Sequence, residues 1–227
     1  MTARSAFRHT PAWAALLGLA LTLAGCGAVP QAPRRAPHRA PVAASPAISY
    51  GQCLANLGAR AASFTPIPDQ YYGAGCSTVN AVKLVSLSAD EQSLAVSNLG
   101  PVTCPLADTF AGWARFGVDR AARQILGVPL VKIETMGSYN CRNVAGTERR
   151  SGHATGNAID VSGFVLADGR RITVLGNWAQ GTAEERRFLR TIQQSACKRF
   201  GTVLGPDYNF AHHDHFHVEL GGNAFCR

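Results

Sequence analysis

Two short segments in the second half of the chain limit what it can fold into more than any other feature. Residues 151–160 read Ser-Gly-His-Ala-Thr-Gly-Asn-Ala-Ile-Asp, and residues 212–217 read His-His-Asp-His-Phe-His. Together they hold five of the seven histidines in this 227-residue chain. Histidine is the commonest metal ligand in proteins, and two histidines with one carboxylate suffice for an open zinc site. We therefore expect the fold to bring both segments around one divalent metal.

The spacing within each segment is suited to metal binding. His153 and Asp160 are seven residues apart, and Gly156 between them allows a tight turn. Residues 213–220 alternate in polarity, which predicts a strand with His213, His215, His217 and Glu219 on one face. His215 and His217 can then both face the metal. The spacing alone leaves open which of these two imidazoles binds the metal.

The N-terminal residues have the pattern of an export signal. Two arginines precede an uncharged, apolar run over residues 11–23, which is too short to span a membrane comfortably. The run ends in Leu-Ala-Gly-Cys, which resembles the bacterial lipobox, whose cysteine is lipidated. We expect residues 1–25 to be a lipoprotein signal peptide and Cys26 to carry a lipid anchor, with ordinary secretion after cleavage near Ala24 as the alternative. Because Gly27 follows, and not an aspartate that would favour inner-membrane retention, the expected location is the periplasmic side of the outer membrane.

The high net charge belongs mostly to the N-terminus. Five arginines and no acidic residue lie before residue 48, so that removing them from the net charge of +8 leaves +3. Residues 26–48 are rich in Pro and Ala and predict a semi-extended tether. Residues 49–227 are long enough for one domain, which we expect to be a monomer. This charge distribution gives no reason to expect nucleic-acid binding.

The cysteine count indicates disulfides. Six cysteines follow Cys26, an even number, and in an exported chain such cysteines form disulfides. None forms a Cys-x-x-Cys pair, which makes a zinc ribbon unlikely from the sequence. Pairing that is local, or that joins adjacent elements, predicts Cys53–Cys76, Cys104–Cys141 and Cys197–Cys226.

Periodicity predicts an α+β domain in which a small antiparallel sheet is flanked by helices. Helices are predicted over residues 50–62, over residues 105–126 with closure at Gly127, and from the capping box at Thr182. Strands are predicted over residues 79–87, 130–134, 158–165, 171–175 and 213–220. A regular strand over 158–165 places Ala158, Asp160, Ser162 and Phe164 on one face.

The histidine segments resemble a known active-site pattern. Ser-x-His-x-x-Gly-x-Ala-x-Asp over residues 151–160, followed by a late His-x-His, is similar to LAS-type zinc peptidases. That group includes D-Ala-D-Ala carboxypeptidases, peptidoglycan endopeptidases and the hedgehog signalling domain. Together with residues 139–142 and the C-terminal Cys-Arg, the chain over residues 50–227 most resembles the bacterial extensin-like C-terminal domain family. The resemblance implies a LAS/hedgehog-like metallopeptidase core.

The resemblance also implies roles for individual residues. The three zinc ligands it implies are His153, Asp160 and His217. Asp214 matches the acidic general base, and His215 matches a second catalytic or transition-state-stabilising imidazole, so which of the two is the base stays open. Arg142 resembles an arginine that holds the substrate carbonyl or carboxylate, although the insertion of Asn140 and Cys141 after Tyr139 departs from the usual spacing.

The expected function is that of a lipid-anchored, Zn²⁺-dependent peptidase that hydrolyses peptidoglycan peptide bonds as a DD-endopeptidase or carboxypeptidase. Asp214 and His215 beside the ligands favour an enzyme. The alternative is a non-catalytic, zinc-containing module that binds the cell wall or has a structural role. A further alternative is an amidase that cuts the junction between glycan and peptide.

Overall fold

The structure is a computed structural model that describes residues 48–60, 62–222 and 224–227. The predicted signal peptide, Cys26 and nearly all of the predicted tether lie outside the described residues. Among the described helices, none has the length and apolar character needed to cross a membrane.

Twelve strands and four α-helices make up the described chain. The strands are β1 (Ser63–Pro66), β2 (Gln70–Gly73), β3 (Cys76–Thr78), β4 (Ala81–Ser88), β5 (Ser93–Ser97), β6 (Val102–Thr103), β7 (Leu130–Gly137), β8 (Ala158–Leu166), β9 (Arg171–Thr173), β10 (Thr202–Leu204), β11 (Phe216–Glu219) and β12 (Phe225–Cys226). The helices are α1 (Tyr50–Ala59), α2 (Cys104–Trp113), α3 (Val174–Asn177) and α4 (Ala183–Cys197). Two π-helical segments, Ala114–Asp119 and Ala122–Leu126, extend α2, and short 3₁₀ turns are formed by Gly152–Thr155 and Phe210–His212.

One large sheet organises these elements. Its strand order is β1-β4-β5-β7-β8-β11-β10-β12, with β6 added on β4 and β9 on β8, while β2 and β3 form a separate hairpin. A domain of helices and a multistranded sheet is confirmed, but the prediction of a small antiparallel sheet is wrong. The sheet has ten strands, and β5–β7 and β10–β12 are parallel pairs. Six of these ten strands have only two to four residues, too few to show alternation in the sequence.

Helices cover the apolar side of the sheet. The Trp113 ring packs edge-on against Phe164, which in turn packs edge-on against Phe188 of α4. All three side chains are fully buried, and burying a phenylalanine contributes roughly 1.5–3 kcal/mol. The indole Nε1 of Trp113 donates a 3.0 Å hydrogen bond to the carbonyl of Ile192, so its polar atom is satisfied within the core.

The predicted long helix is confirmed in its extent. Residues 104–126 are continuously helical, with α geometry at the start and π geometry in two later segments. Gly127 ends the helix with a φ of 73°, a left-handed conformation that glycine adopts without strain.

The alternation in β8 changes phase at a bulge, so the prediction for Phe164 is wrong. Gly163 pairs with Glu134 and Val161 pairs with Thr135, which leaves Ser162 as an extra residue between the two pairs. Asp160 and Ser162 are only partly buried, whereas Phe164 belongs to the hydrophobic core. The bulge therefore turns Phe164 towards the helices while Asp160 keeps its place on the outer face.

Two predicted strands are shorter in the structure. The strand predicted over 171–175 ends at Thr173, whose hydroxyl accepts a 3.0 Å hydrogen bond from the amide of Gly176 and starts α3. The strand predicted over 213–220 begins only at Phe216, because the preceding residues form a 3₁₀ turn.

Three disulfides join the described cysteines. They are Cys53–Cys104, Cys76–Cys141 and Cys197–Cys226. The third confirms the prediction, whereas the predicted Cys53–Cys76 and Cys104–Cys141 are wrong. The reason is that helix α1 packs on α2 and the β2–β3 hairpin packs beside the 152–155 turn, so the true partners are 51 and 65 residues apart.

The predicted capping box at Thr182 is present and gives a stability test. The Thr182 hydroxyl accepts a hydrogen bond from the Glu185 amide, and the Glu185 carboxylate accepts one from the Thr182 amide. We expect Thr182→Ala to lower the free energy of unfolding by about 1 kcal/mol, measured by urea denaturation. Thr182→Ser keeps the accepting oxygen and should stay close to wild type; an equal loss in both variants would contradict this role.

Candidate metal centre

The pairing of β8 with β11 brings the two predicted segments together. His217 lies directly opposite Asp160 in this antiparallel pair. Along β11, Phe216 and Val218 are in the core, so His217 points to the other face of the sheet. Asp160 alternates in the same way with Ile159 and Val161, which are also in the core. The two polar side chains therefore meet on the outer face.

His153 reaches the same place from the 3₁₀ turn that precedes β8. The Ser151 hydroxyl caps this turn by accepting a 3.3 Å hydrogen bond from the amide of His153. The Nδ1 atom of His153 lies 2.9 Å from the Ser138 carbonyl oxygen, to which it donates. This hydrogen bond fixes the ring so that Nε2 faces His217 and Asp160.

The three predicted ligands converge. The His153 Nε2 atom is 3.1 Å from His217 Nδ1 and 3.2 Å from Asp160 Oδ2, and His217 Nδ1 is 2.9 Å from Asp160 Oδ1. Among the described residues, these three form the group of histidine and carboxylate side chains with the spacing of a metal site. Ligands of a tetrahedral zinc, with bonds of about 2.0–2.1 Å, are separated by roughly 3.3–3.4 Å. The observed separations are close to that value.

The outer hydrogen bonds make this donor set suitable for a cation. His217 Nε2 is 3.2 Å from the Glu219 carboxylate and donates to it, just as His153 Nδ1 donates to Ser138. In the neutral tautomers fixed by these partners, both inward-facing ring nitrogens carry lone pairs, and they face the carboxylate of Asp160. Three electron-pair donors in contact require a proton or a metal ion between them. The residues therefore fit a zinc ion held by two imidazoles and one carboxylate.

Two glycines in the first segment have distinct geometric roles. A side chain at Gly152 would collide with the Glu219 carboxylate, which holds His217. Gly156 ends the turn at a φ of 64°, and a Cβ atom there would lie 3.2 Å from the Pro101 carbonyl oxygen. Gly152 thus lets the turn lie close to β11, and Gly156 lets it lie close to the backbone at Pro101.

The electrostatics of the centre favour charged groups. Burial disfavours the ionised form of Asp160, but hydrogen bonds with His153 and His217 outweigh this and hold its pKa well below the ordinary value. Burial likewise disfavours protonated His217, but hydrogen bonds to Asp160 and Glu219 raise its pKa to about 9. The centre therefore favours the protonated form of His217 at neutral pH.

Asp214 and His215 form a pair at the edge of this centre. The Nδ1 atom of His215 donates a 2.8 Å hydrogen bond to Asp214 Oδ1, and His215 Nε2 lies 3.5 Å from Asp160 Oδ1. The His215 side chain is buried, whereas Asp214 lies in the turn before β11 and is only partly buried. Of the two, His215 is the residue in contact with the ligand set.

The two remaining histidines of the cluster differ in their surroundings. The ring of His212 lies 5.2 Å from that of His215, and burial together with the nearby imidazoles of His215 and His217 lowers the pKa of His212 to about 4. His213 instead stacks on Phe210 at a ring separation of 4.5 Å. Neither belongs to the group of converging ligand atoms.

Arg142 lies at the mouth of the centre. It lines a cavity of about 80 Å³ together with Tyr139, His153 and Asp160. Its guanidinium is exposed and makes a 3.4 Å contact with the carbonyl of Asn143. The disulfide from Cys141 to the β2–β3 hairpin anchors this segment immediately before Arg142.

Sequence reasoning missed the groups that orient the ligands. Glu219 shares a strand face with His217, and this alternation was a usable signal for its role. The Ser138 carbonyl is a backbone group, so no residue type in the sequence marks it as the partner of His153.

The fold and the site define a disulfide-linked domain of mixed α and β structure with a candidate centre of two histidines and one aspartate. The family model described as "Extensin-like protein C-terminus" matches residues 51–227, and the chain belongs to this family. Searches of curated proteins and of solved structures gave no significant match.

Zinc binding at this centre should release protons. Because His217 has a pKa of about 9 and must lose its proton to bind zinc, we expect zinc binding at about pH 7 to release close to one proton. Affinity should therefore rise with pH until about pH 9. Calorimetric titration with Zn²⁺ in buffers of different ionisation enthalpy measures the proton count.

The Glu219→Gln variant provides the matched control. It removes one of the two carboxylates that raise the pKa of His217, so fewer protons should be released at about pH 7. A proton count that is the same below and above the pKa of His217 would contradict this account.

Proposed function

We propose that this protein is a zinc-dependent peptidase of the bacterial cell envelope that hydrolyses peptide bonds in peptidoglycan. The observation that carries the proposal is the convergence of His153, Asp160 and His217 beside an imidazole, His215, that is held by its own carboxylate. The similarity of residues 151–160 and of the late His-x-His to LAS-type zinc peptidases supports the same reaction class, including a LAS-like core.

His153, Asp160 and His217 would hold the zinc ion. Bound zinc supplies Lewis acidity, which activates water for attack and polarises a carbonyl oxygen. Ser138 and Glu219 keep the two imidazoles in the tautomers that present lone pairs inward. These outer contacts keep the centre in place before a substrate arrives.

His215 is the proton-transfer group in this proposal. Because its Nδ1 donates to Asp214, its Nε2 faces the ligand set and can accept a proton there and return it to a leaving amine. Asp214 positions the ring and stabilises the imidazolium, so it acts through His215. Arg142, which lines the cavity, has an exposed guanidinium suited to a substrate carbonyl or carboxylate.

The cellular setting in the proposal is the periplasmic face of the outer membrane, with an anchor at Cys26. Three disulfides among the described residues suit an oxidising compartment, and disulfides are rare in the cytosol. The lipobox-like end of the apolar run and the Pro- and Ala-rich stretch behind it suit a tethered enzyme that acts on the wall.

Digestion of purified sacculi tests the activity. We expect wild-type protein with Zn²⁺ to release muropeptide fragments whose masses show cleavage of a peptide bond, measured by liquid chromatography and mass spectrometry. His217→Ala and chelator treatment should abolish release, because each removes the metal.

Other results would point to the alternatives. Fragments cut at the glycan–peptide junction would indicate an amidase. If zinc-loaded protein binds sacculi and releases nothing, the peptidase proposal fails and a wall-binding module replaces it.

Variants of Asp214 and His215 test the proposed division of roles. We expect His215→Ala to lower kcat by roughly a hundredfold to ten-thousandfold with zinc content unchanged, and Asp214→Ala to lower it less. The double variant should be no slower than His215→Ala, because Asp214 acts only through that ring. Additive losses, or a larger loss in Asp214→Ala, would instead make Asp214 the base.

A further inference from the structure

A second concave region lies beside the metal centre on the same face of the sheet. It has a volume of about 230 Å³. The residues that line it come from β7, β8, β9, α3 and the turn before β11: Met136, Ser162, Arg171, Thr173, Leu175 and Asp214. We call this region the β9 groove.

The β9 groove adjoins the metal centre. Met136 lines both the β9 groove and the smaller cavity that contains His153 and Asp160. On β8, Asp160 faces the centre and Ser162, two residues further on, lines the groove. Asp214, which holds His215, lines the groove as well. A chain bound at the metal would therefore have the β9 groove next to it on the same face of the sheet.

The groove combines apolar walls with one available cation. Met136 and Leu175 are 51% and 63% exposed, which leaves aliphatic surface open to a ligand. The Nε atom of Arg171 donates a 2.6 Å hydrogen bond to the Glu134 carboxylate, and this contact orients the guanidinium. The two terminal nitrogens of Arg171 make no hydrogen bond to other described residues, so they form an open fork of the kind that binds carboxylates.

The local charge also favours an anion. Lys132 lies 3.2 Å from the same Glu134 carboxylate, so two cations share one anion and leave a net charge of +1. Asp214 carries a negative charge at the opposite side of the groove, and the hydrogen bond from His215 does not remove that charge. The positive end of the groove is thus at Arg171.

We infer that the β9 groove binds a residue of the peptide substrate that has an aliphatic stem and a carboxylate, adjacent to the cleaved bond, through Arg171. This inference rests on the proposed peptidase function and names a substrate feature: an anionic peptide. Met136 and Leu175 contact the stem, and the terminal nitrogens of Arg171 bind the carboxylate. Because β7, β8 and β9 are hydrogen-bonded together, the distance from the metal centre to Arg171 is set by the sheet.

Matched peptides test this recognition. The two peptides of a pair differ only in one side chain next to the cleaved bond, which carries a carboxylate in one peptide and the isosteric carboxamide in the other. In one pair this residue lies before the cleaved bond, and in a second pair it lies after that bond. We expect wild-type kcat/KM to favour the carboxylate form of one pair by roughly tenfold to a hundredfold. Arg171→Gln should lose this preference through a higher KM with little change in kcat, and Arg171→Lys should retain part of it.

The control is Arg187→Gln, which makes the same charge change at an exposed position of α4. It should keep the preference, and thermal unfolding should show that both glutamine variants are folded. Equal rates for both peptide forms in wild-type protein, or a preference that survives in Arg171→Gln, would overturn the inference and leave the peptidase proposal intact.

Binding separates recognition from turnover. Calorimetric titration of the same peptides into the zinc-loaded His215→Ala protein should give tighter binding of the carboxylate form, and the added Arg171→Gln substitution should remove the difference. If wild-type protein cleaves no peptide yet this binding preference is found, the peptidase proposal fails and the carboxylate site stands. If neither cleavage nor a binding preference is found, both are wrong.

Discussion

The register between β8 and β11 is the constraint on which the candidate centre depends. It sets His217 opposite Asp160 on one face, while Phe216, Val218 and the neighbouring residues of β8 fill the core on the other. A slip of one residue would turn the charged side chains into the core and expose the apolar ones. The buried face therefore selects the register, and the register creates the site. Core packing and the convergence of the candidate ligands are two consequences of one pairing.

The third ligand depends on a loop that is held from several sides. Residues 138–141 accept a hydrogen bond from the ring of His153 and donate one to its backbone carbonyl. The disulfide between Cys76 and Cys141 joins the same loop to β3. Because the cross-link and the hydrogen bonds act on a stretch of four residues, His153 is positioned without belonging to the sheet. This arrangement suits a centre whose ligands must be in place before the metal binds.

The sequence predicted the residues of the candidate centre better than it predicted the fold around them. His153, Asp160 and His217 are marked by rare residue types at short spacings, and the structure brings all three together. Nothing in the sequence indicated the disulfide partners of Cys53 and Cys76, because their pairing depends on how α1 and the β2–β3 hairpin pack. The bulge at Ser162 could not be predicted from the sequence either, since an extra residue in one strand is recognised only by comparison with the strand that pairs with it. The sequence therefore predicted the local chemistry of the centre but not the pairing of residues that lie far apart in the chain.

The two ends of the outer face of the sheet therefore differ in charge. At one end, two carboxylates, Asp160 and Glu219, surround His217 and favour a cation. At the other, Lys132 and Arg171 share Glu134 and favour an anion. A ligand lying across both ends would bring its polarised carbonyl to the first and its carboxylate to the second. Because both ends are built on paired strands, the sheet fixes their separation, and a substrate whose carboxylate lies at the wrong distance would lose contact with one end. Selectivity for the position of a charge along the peptide would then follow from the sheet itself.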